Sequence, residues 1–208
     1  MSTAQERREK KAGELIPRKY EDASNIASAL SNQLYEMFRK VGHIYYHVID
    51  MYAIAKYLMY KMMEVWSKIW FADAPVDKGI REELTQLLDN LEKYREKVYK
   101  EYKEWLLTFI DEDSLKEGRG KYILIPELPR LALFVLDSLE DMQGQIQELK
   151  KRIETEERFV WDDVLLAMDI HDNAYTPVGN LPQLAYWYVN NNLIEFLQKQ
   201  SPELFQSK

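Results

Sequence analysis

Two histidines four residues apart, His43 and His47, are followed by Asp50 within the stretch RKVGHIYYHVIDMY, Arg39 to Tyr52. On a helix the three side chains share a face, and an i, i+4 imidazole pair can chelate Zn, Ni or Cu. A metalloprotease helix needs H-E-x-x-H, whereas Ile44, Tyr45 and Tyr46 stand between these histidines and supply no general base. Di-iron bundles use E-x-x-H on two helices, a tetrapeptide that does not occur in the chain. The third histidine, His171, lies in DIHDN, which reads as a helix end where Asp and His act as caps. A composite of His43, His47 and His171 is the remaining arrangement. The reading adopted is that these histidines pack among tyrosines, so no metal site and no cofactor are expected.

Other chemistry is equally thin. The 208 residues include no cysteine, which excludes disulfides, zinc fingers, iron–sulfur clusters and thiol catalysis. No phosphate-binding G-x-x-x-x-G-K-[ST] is present, and GRGK at Gly118–Lys121 is a polar turn. G-x-S-x-G is also absent, and 35 carboxylates make any acid–base pair arbitrary. The chain reads as a non-enzyme with no catalytic residues.

Charge is more informative. The net value is −7, yet residues 1–19 carry six Lys and Arg (Arg7, Arg8, Lys10, Lys11, Arg18, Lys19) against three Glu, a local +3. The remaining 189 residues therefore carry −10. A basic arm on an acidic body points to polyanion contact through the arm, against the plainer reading of a solvated tail. MSTAQERREKKAGE has no apolar core of the kind a signal peptide needs, and Lys56 and Lys61 interrupt the longest apolar run. A soluble protein is expected.

The elements that must position these residues are helices. Pro17 is expected to separate the arm from a long helix over 22–71, with Asp22 or Ser24 as N-cap. Its apolar stripe runs Ile26, Leu30, Leu34, Met37, Val41, Ile44, Val48, Met51, Ala55, Leu58, Met62, Val65 and Ile69. A second helix is expected from Asp77, its N-cap, to Ile110, with a seam at Ile80, Leu84, Leu87, Leu91, Tyr94, Val98, Tyr102, Trp105 and Phe109. A turn at DEDSLKEGRGK, a third helix over 127–157, a shorter one over 160–170, a loop at DNAYTPVGNLP and a last helix over 182–200 complete the chain. The class is all-α: a helical bundle body, 42–208, with a projecting N-terminal helical arm, 1–41. A helix over 22–71 would be about 75 Å long, against about 40–45 Å for a compact domain of this size. It must break, with Gly42 the natural place, or project.

Two features of the first helix remain. Tyr35, Phe38, Tyr45, Tyr46, Tyr52, Tyr57, Tyr60, Trp66, Trp70 and Phe71 cover more helical angles than one core face needs, as at protein–protein interfaces. Ser24, Ser28, Ser31, Tyr35, Arg39, Gly42 and Tyr46, with Asn32 and His43 alongside and Lys40 beside them, form a narrow stripe of small polar and basic residues. Hydroxyl and guanidinium donors suit phosphate oxygens without reading bases. A tolerant solvent-facing stripe would look the same.

Taken together, a cysteine-free helical chain with a basic arm, a long first helix and a tyrosine-rich body resembles the major capsid proteins of filamentous viruses of hyperthermophilic archaea, the lipothrixviruses and rudiviruses. The region YEDASNIASALSNQLYEMFRKVGHIYYHVID carries the resemblance. It implies paired capsid subunits, identical or paralogous, whose arms wrap double-stranded DNA, hold it in A form and stack into a helical filament; lipothrixviruses add a lipid envelope. On that resemblance Arg7, Arg8, Lys10, Lys11, Arg18, Lys19, Arg39 and Lys40 would contact phosphates, with Ser24, Ser28, Ser31, Asn32 and Tyr35 lying on the DNA. The location implied is the virion, and the host cytoplasm before assembly. The acidic body would then face outward or toward neighbouring subunits. The rival reading is a soluble helical interaction module that dimerises through the 77–110 seam. Gly42 is read as a hinge between arm and body, not as part of an active site.

Overall fold

A computed structural model describes residues 4–72, 75–108, 110–116 and 128–200; before Lys40 it describes the side chains of Ser28, Asn32, Tyr35, Glu36 and Arg39, and between 191 and 200 only that of Lys199. Among the described residues every regular element is a helix: α1 (Ala4–Ala72), α2 (Lys78–Leu106), α3 (Glu112–Lys116), α4 (Leu128–Thr155) and α5 (Trp161–Gln200). The class is all-α. None of these helices is long and apolar enough to cross a membrane. The chain forms two compact units, Met1–Arg39 with Tyr186–Lys208, and Lys40–Ala185.

Within Lys40–Ala185 the cross-helix contacts define a four-helix bundle. α1 meets α2 through His47–Glu101, Tyr57–Glu83 and Lys61–Glu83. α2 meets α4 through Arg95 to the Leu139 carbonyl, Tyr99–Glu140, and Glu92 with Gln143 and Lys150. α4 meets α5 through Gln145–Asn173 and Arg152–Asp163. Ring contacts of Tyr52 with His171 and Tyr175, and of Trp66 with Trp161, join α5 back to α1. In every pair the residue numbers run in opposite directions, so successive long helices are antiparallel neighbours, the up-down-up-down arrangement.

Each helix buries one stripe at 3–4 spacing. On α1 it is Val41, Ile44, Val48, Met51, Ala55, Leu58, Met62 and Val65; on α4, Val135, Leu139, Met142, Ile146, Leu149 and Ile153. Side chains of Ile26, Leu30, Leu34 and Met37 lie outside the described residues. Asp77 is the N-cap of α2, its Oδ1 accepting from the Gly79 N–H at 2.7 Å. The α2 stripe is Leu84, Leu88, Leu91, Val98, Tyr102, Trp105 and Leu106, with Leu88 rather than Leu87 fully inside. α4 covers that stripe, so the seam through which the rival reading pairs two copies is buried within one chain. Tyr99 donates to Glu140 at 2.6 Å, and this bond together with burial pushes its phenol up to about 12.

Several local expectations are corrected, and one open alternative is decided. α1 begins at Ala4 and passes through Pro17, whose fixed φ suits a helix although its ring removes one backbone donor. α1 is also helical through Gly42, so the helix does not break there. The acidic turn contains the short helix α3, whose Leu115 is buried. The loop expected at 172–182 is the middle of α5, which carries Pro177 and Pro182 inside it. The reason is periodicity: Val164, Ala167, Ile170, Ala174, Pro177, Leu181 and Leu184 form one unbroken buried stripe, so core packing outweighs two missing N–H groups. Within that stretch the Asn180 side-chain amide donates to the Thr176 carbonyl at 2.8 Å. His171 is accordingly a mid-helix residue in tilted ring contact with Tyr52, not a cap.

Candidate functional site

The polar stripe on α1 is the first candidate. Ser28, Asn32, Tyr35 and Arg39 are exposed and recur at four, three and four residues, which places them on one helical face. Arg39 pairs with Glu36 at 3.0 Å, so part of its charge is met within the helix. The backbones of Arg7, Arg8, Lys10, Lys11, Arg18, Lys19, Ser24 and Ser31 belong to α1, while their side chains lie outside the described residues. Lys40 is exposed at the start of the bundle unit.

The second candidate is the outward face of α1 within the bundle. Opposite the buried stripe stand Tyr46 (76% exposed), Ile49, Tyr57, Tyr60 and Phe71 (87% exposed). Tyr46 and Tyr57 are eleven residues apart, as are Ile49, Tyr60 and Phe71, and eleven residues are close to three helical turns. Two apolar rows therefore run along one side of the helix. Tyr57 is tied down by donating to Glu83 Oε1 at 3.2 Å, and Lys61 bonds the other oxygen of Glu83 at 2.9 Å. The Lys61 ammonium is the main reason the Glu83 carboxyl lies below its ordinary range. Rigid rings held on a helix and exposed to water are the usual anchors of a protein–protein contact.

The third candidate joins α1 to α2. His47 is 13% exposed, on the flank of the buried stripe next to Val48. Glu101 occupies the facing flank of α2 beside buried Tyr102, and its Oε2 lies 2.7 Å from His47 Nδ1 and 3.6 Å from His43 Nδ1. The two imidazoles meet edge to face at 4.6 Å. Asp50 is exposed and outside this group, and His171 is engaged with Tyr52 and with Asp172 at 3.0 Å. Glu101 is the residue the sequence reading missed. It is 54 positions from His47, and only the antiparallel register of α1 and α2 signals that they meet.

No protein-family model, no curated protein and no solved structure matches the chain. Its functional reading rests on the three surfaces just described.

Proposed function

We propose that the protein is a structural subunit that coats double-stranded DNA without reading its sequence and assembles into a filament. The observation that carries this reading is the outward face of α1, where Tyr46, Ile49, Tyr57, Tyr60 and Phe71 lie exposed in two rows. A solitary helical bundle gains nothing from an aromatic face in water, whereas a repeating assembly covers it with the next subunit. The exposed Ser28, Asn32, Tyr35 and Arg39 face and the +3 charge of residues 1–19 support a phosphate contact through the N-terminal segment. The −10 carried by the remainder is compatible with that role if the bundle is turned away from the DNA. In this reading the filament is a virion of the archaeal type, with A-form DNA inside, a second identical or paralogous subunit as partner, and assembly in the host cytoplasm. The reading is the same for an enveloped or a naked filament. The chain has no catalytic part in it.

Negative-stain imaging of the protein mixed with linear duplex DNA is the direct test, and discrete dimers with free DNA would refute the reading. Binding should be indifferent to sequence and weaken with salt. Deleting residues 1–19 removes six cations, so the log–log salt slope should fall by up to about 5, at ~0.9 per phosphate contact. An unchanged slope would remove the arm from the interface.

A further inference from the structure

From the geometry of His43, His47 and Glu101 we infer a binding site for one divalent transition-metal ion of the zinc class, clamping α1 to α2 inside the bundle unit. Ligand atoms of these three residues all lie within 4.8 Å of one another, and among the described residues no other group of three does so. Two imidazole nitrogens and a carboxylate oxygen form a donor set that zinc, nickel and cobalt accept. Bonds of about 2.1 Å at tetrahedral angles separate ligand atoms by about 3.4 Å. Separations of 2.7 and 3.6 Å from the shared Glu101 oxygen bracket that value, so admitting an ion requires the closer pair to open by about 0.7 Å, within reach of side-chain rotation.

The alternative is a simple His47–Glu101 hydrogen bond, and it accounts for only two of the three residues. His43 is 67% exposed, contributes little burial, and still turns Nδ1 toward the oxygen that His47 already engages. A single shared cation explains why both rings converge on one carboxylate oxygen. The helix supplies the preorganisation: spacing of four sets the two rings on one face of α1, and the buried neighbours Ile44 and Val48 fix their backbone. Glu101 is held in turn between buried Val98, Tyr102 and Trp105 on α2. With three protein ligands and His43 facing solvent, the remaining coordination position is open to water.

The experiment uses the full chain, stripped with a chelator and titrated calorimetrically with ZnCl2, with CoCl2 as a spectroscopic probe. One ion per chain is expected, with visible absorption bands of low-coordinate cobalt and a rise in melting temperature on adding zinc. His43→Ala is the main variant because the exposed side chain is not needed for folding; Glu101→Gln keeps the shape while removing the anion. Loss of a mere outer-shell partner costs about 10–100-fold in metal affinity, so each variant should lose at least that much and lose the thermal shift. No uptake at one equivalent overturns the inference. So does uptake that His43→Ala and Glu101→Gln leave unchanged.

Discussion

The two faces of α1 within the bundle unit are both rich in hydrophobic residues, yet one is buried and the other exposed. The inner face, Val41 to Val65, is aliphatic and sulfur-bearing, and six of its eight side chains are less than 3% exposed. The outer face is aromatic and open. Aliphatic side chains interlock into a close-packed interior with no polar tip to satisfy. Tyrosine keeps a hydroxyl that tolerates water, so it can wait on a surface for a partner. The contrast teaches that counting hydrophobic residues on a helix does not locate the core. The aliphatic stripe at 3–4 spacing does.

That contrast can be broken experimentally. Leu58→Ala on the inner face removes a fully buried side chain and should cost about 3 kcal/mol. At ~2–4 °C per kcal/mol for a chain of this size, calorimetry should record a fall of about 10 °C. Gly42→Ala should move the other way. A Cβ at Gly42 would meet nothing within 4 Å, and replacing a helix-interior glycine by alanine gains up to about 1 kcal/mol. If Gly42 serves as a hinge, the same variant should be more stable and yet assemble poorly; normal filaments would rule the hinge out.

On the flank between the faces, Glu83→Gln sharpens the comparison through pH. The Glu83 carboxyl is held below its ordinary value of 4.5, first by its bond to Lys61. A depressed carboxyl stabilises the folded state above its unfolded value, and that contribution fades as the pH falls through the lower, folded one. Acid-unfolding curves of wild type and Glu83→Gln should therefore differ at neutral pH and converge below pH 4.5. The smallest stability effect belongs to the outer face. Tyr46→Ser with Tyr60→Ser should leave monomer stability within about 0.5 kcal/mol per site while abolishing filaments. A large loss of stability would mean that these rings belong to the core after all.

Much of the bundle was legible in the sequence because amphipathic periodicity is a local property. Val41 to Val65 on α1, Val135 to Ile153 on α4, and the Asp77 cap were all readable from spacing and residue type. α5 was not, because Pro177 and Pro182 carry strong loop signals, and only the uninterrupted stripe from Val164 to Leu184 reveals the helix running beneath them. The α2 seam was found, but its partner was not: nothing within residues 77–110 tells whether α4 or a second copy covers it. Glu101 was missed for the same reason. Spacing along one helix put His43 and His47 together, whereas the third ligand comes from a different helix, and its position depends on the register of the hairpin.

The ring contacts between α1 and α5 have a kinetic consequence. The hydrogen bonds described for the other long-helix pairs, such as His47–Glu101 and Arg81 with the Glu157 carbonyl, span at most 76 residues. Tyr52–His171, Tyr52–Tyr175 and Trp66–Trp161 close the bundle across most of its sequence. Loop-closure entropy must be met before such contacts can contribute. Trimming Trp66 or Trp161 should accordingly speed unfolding and leave the folding rate nearly untouched, making this aromatic seal the timer that sets how long the bundle stays shut.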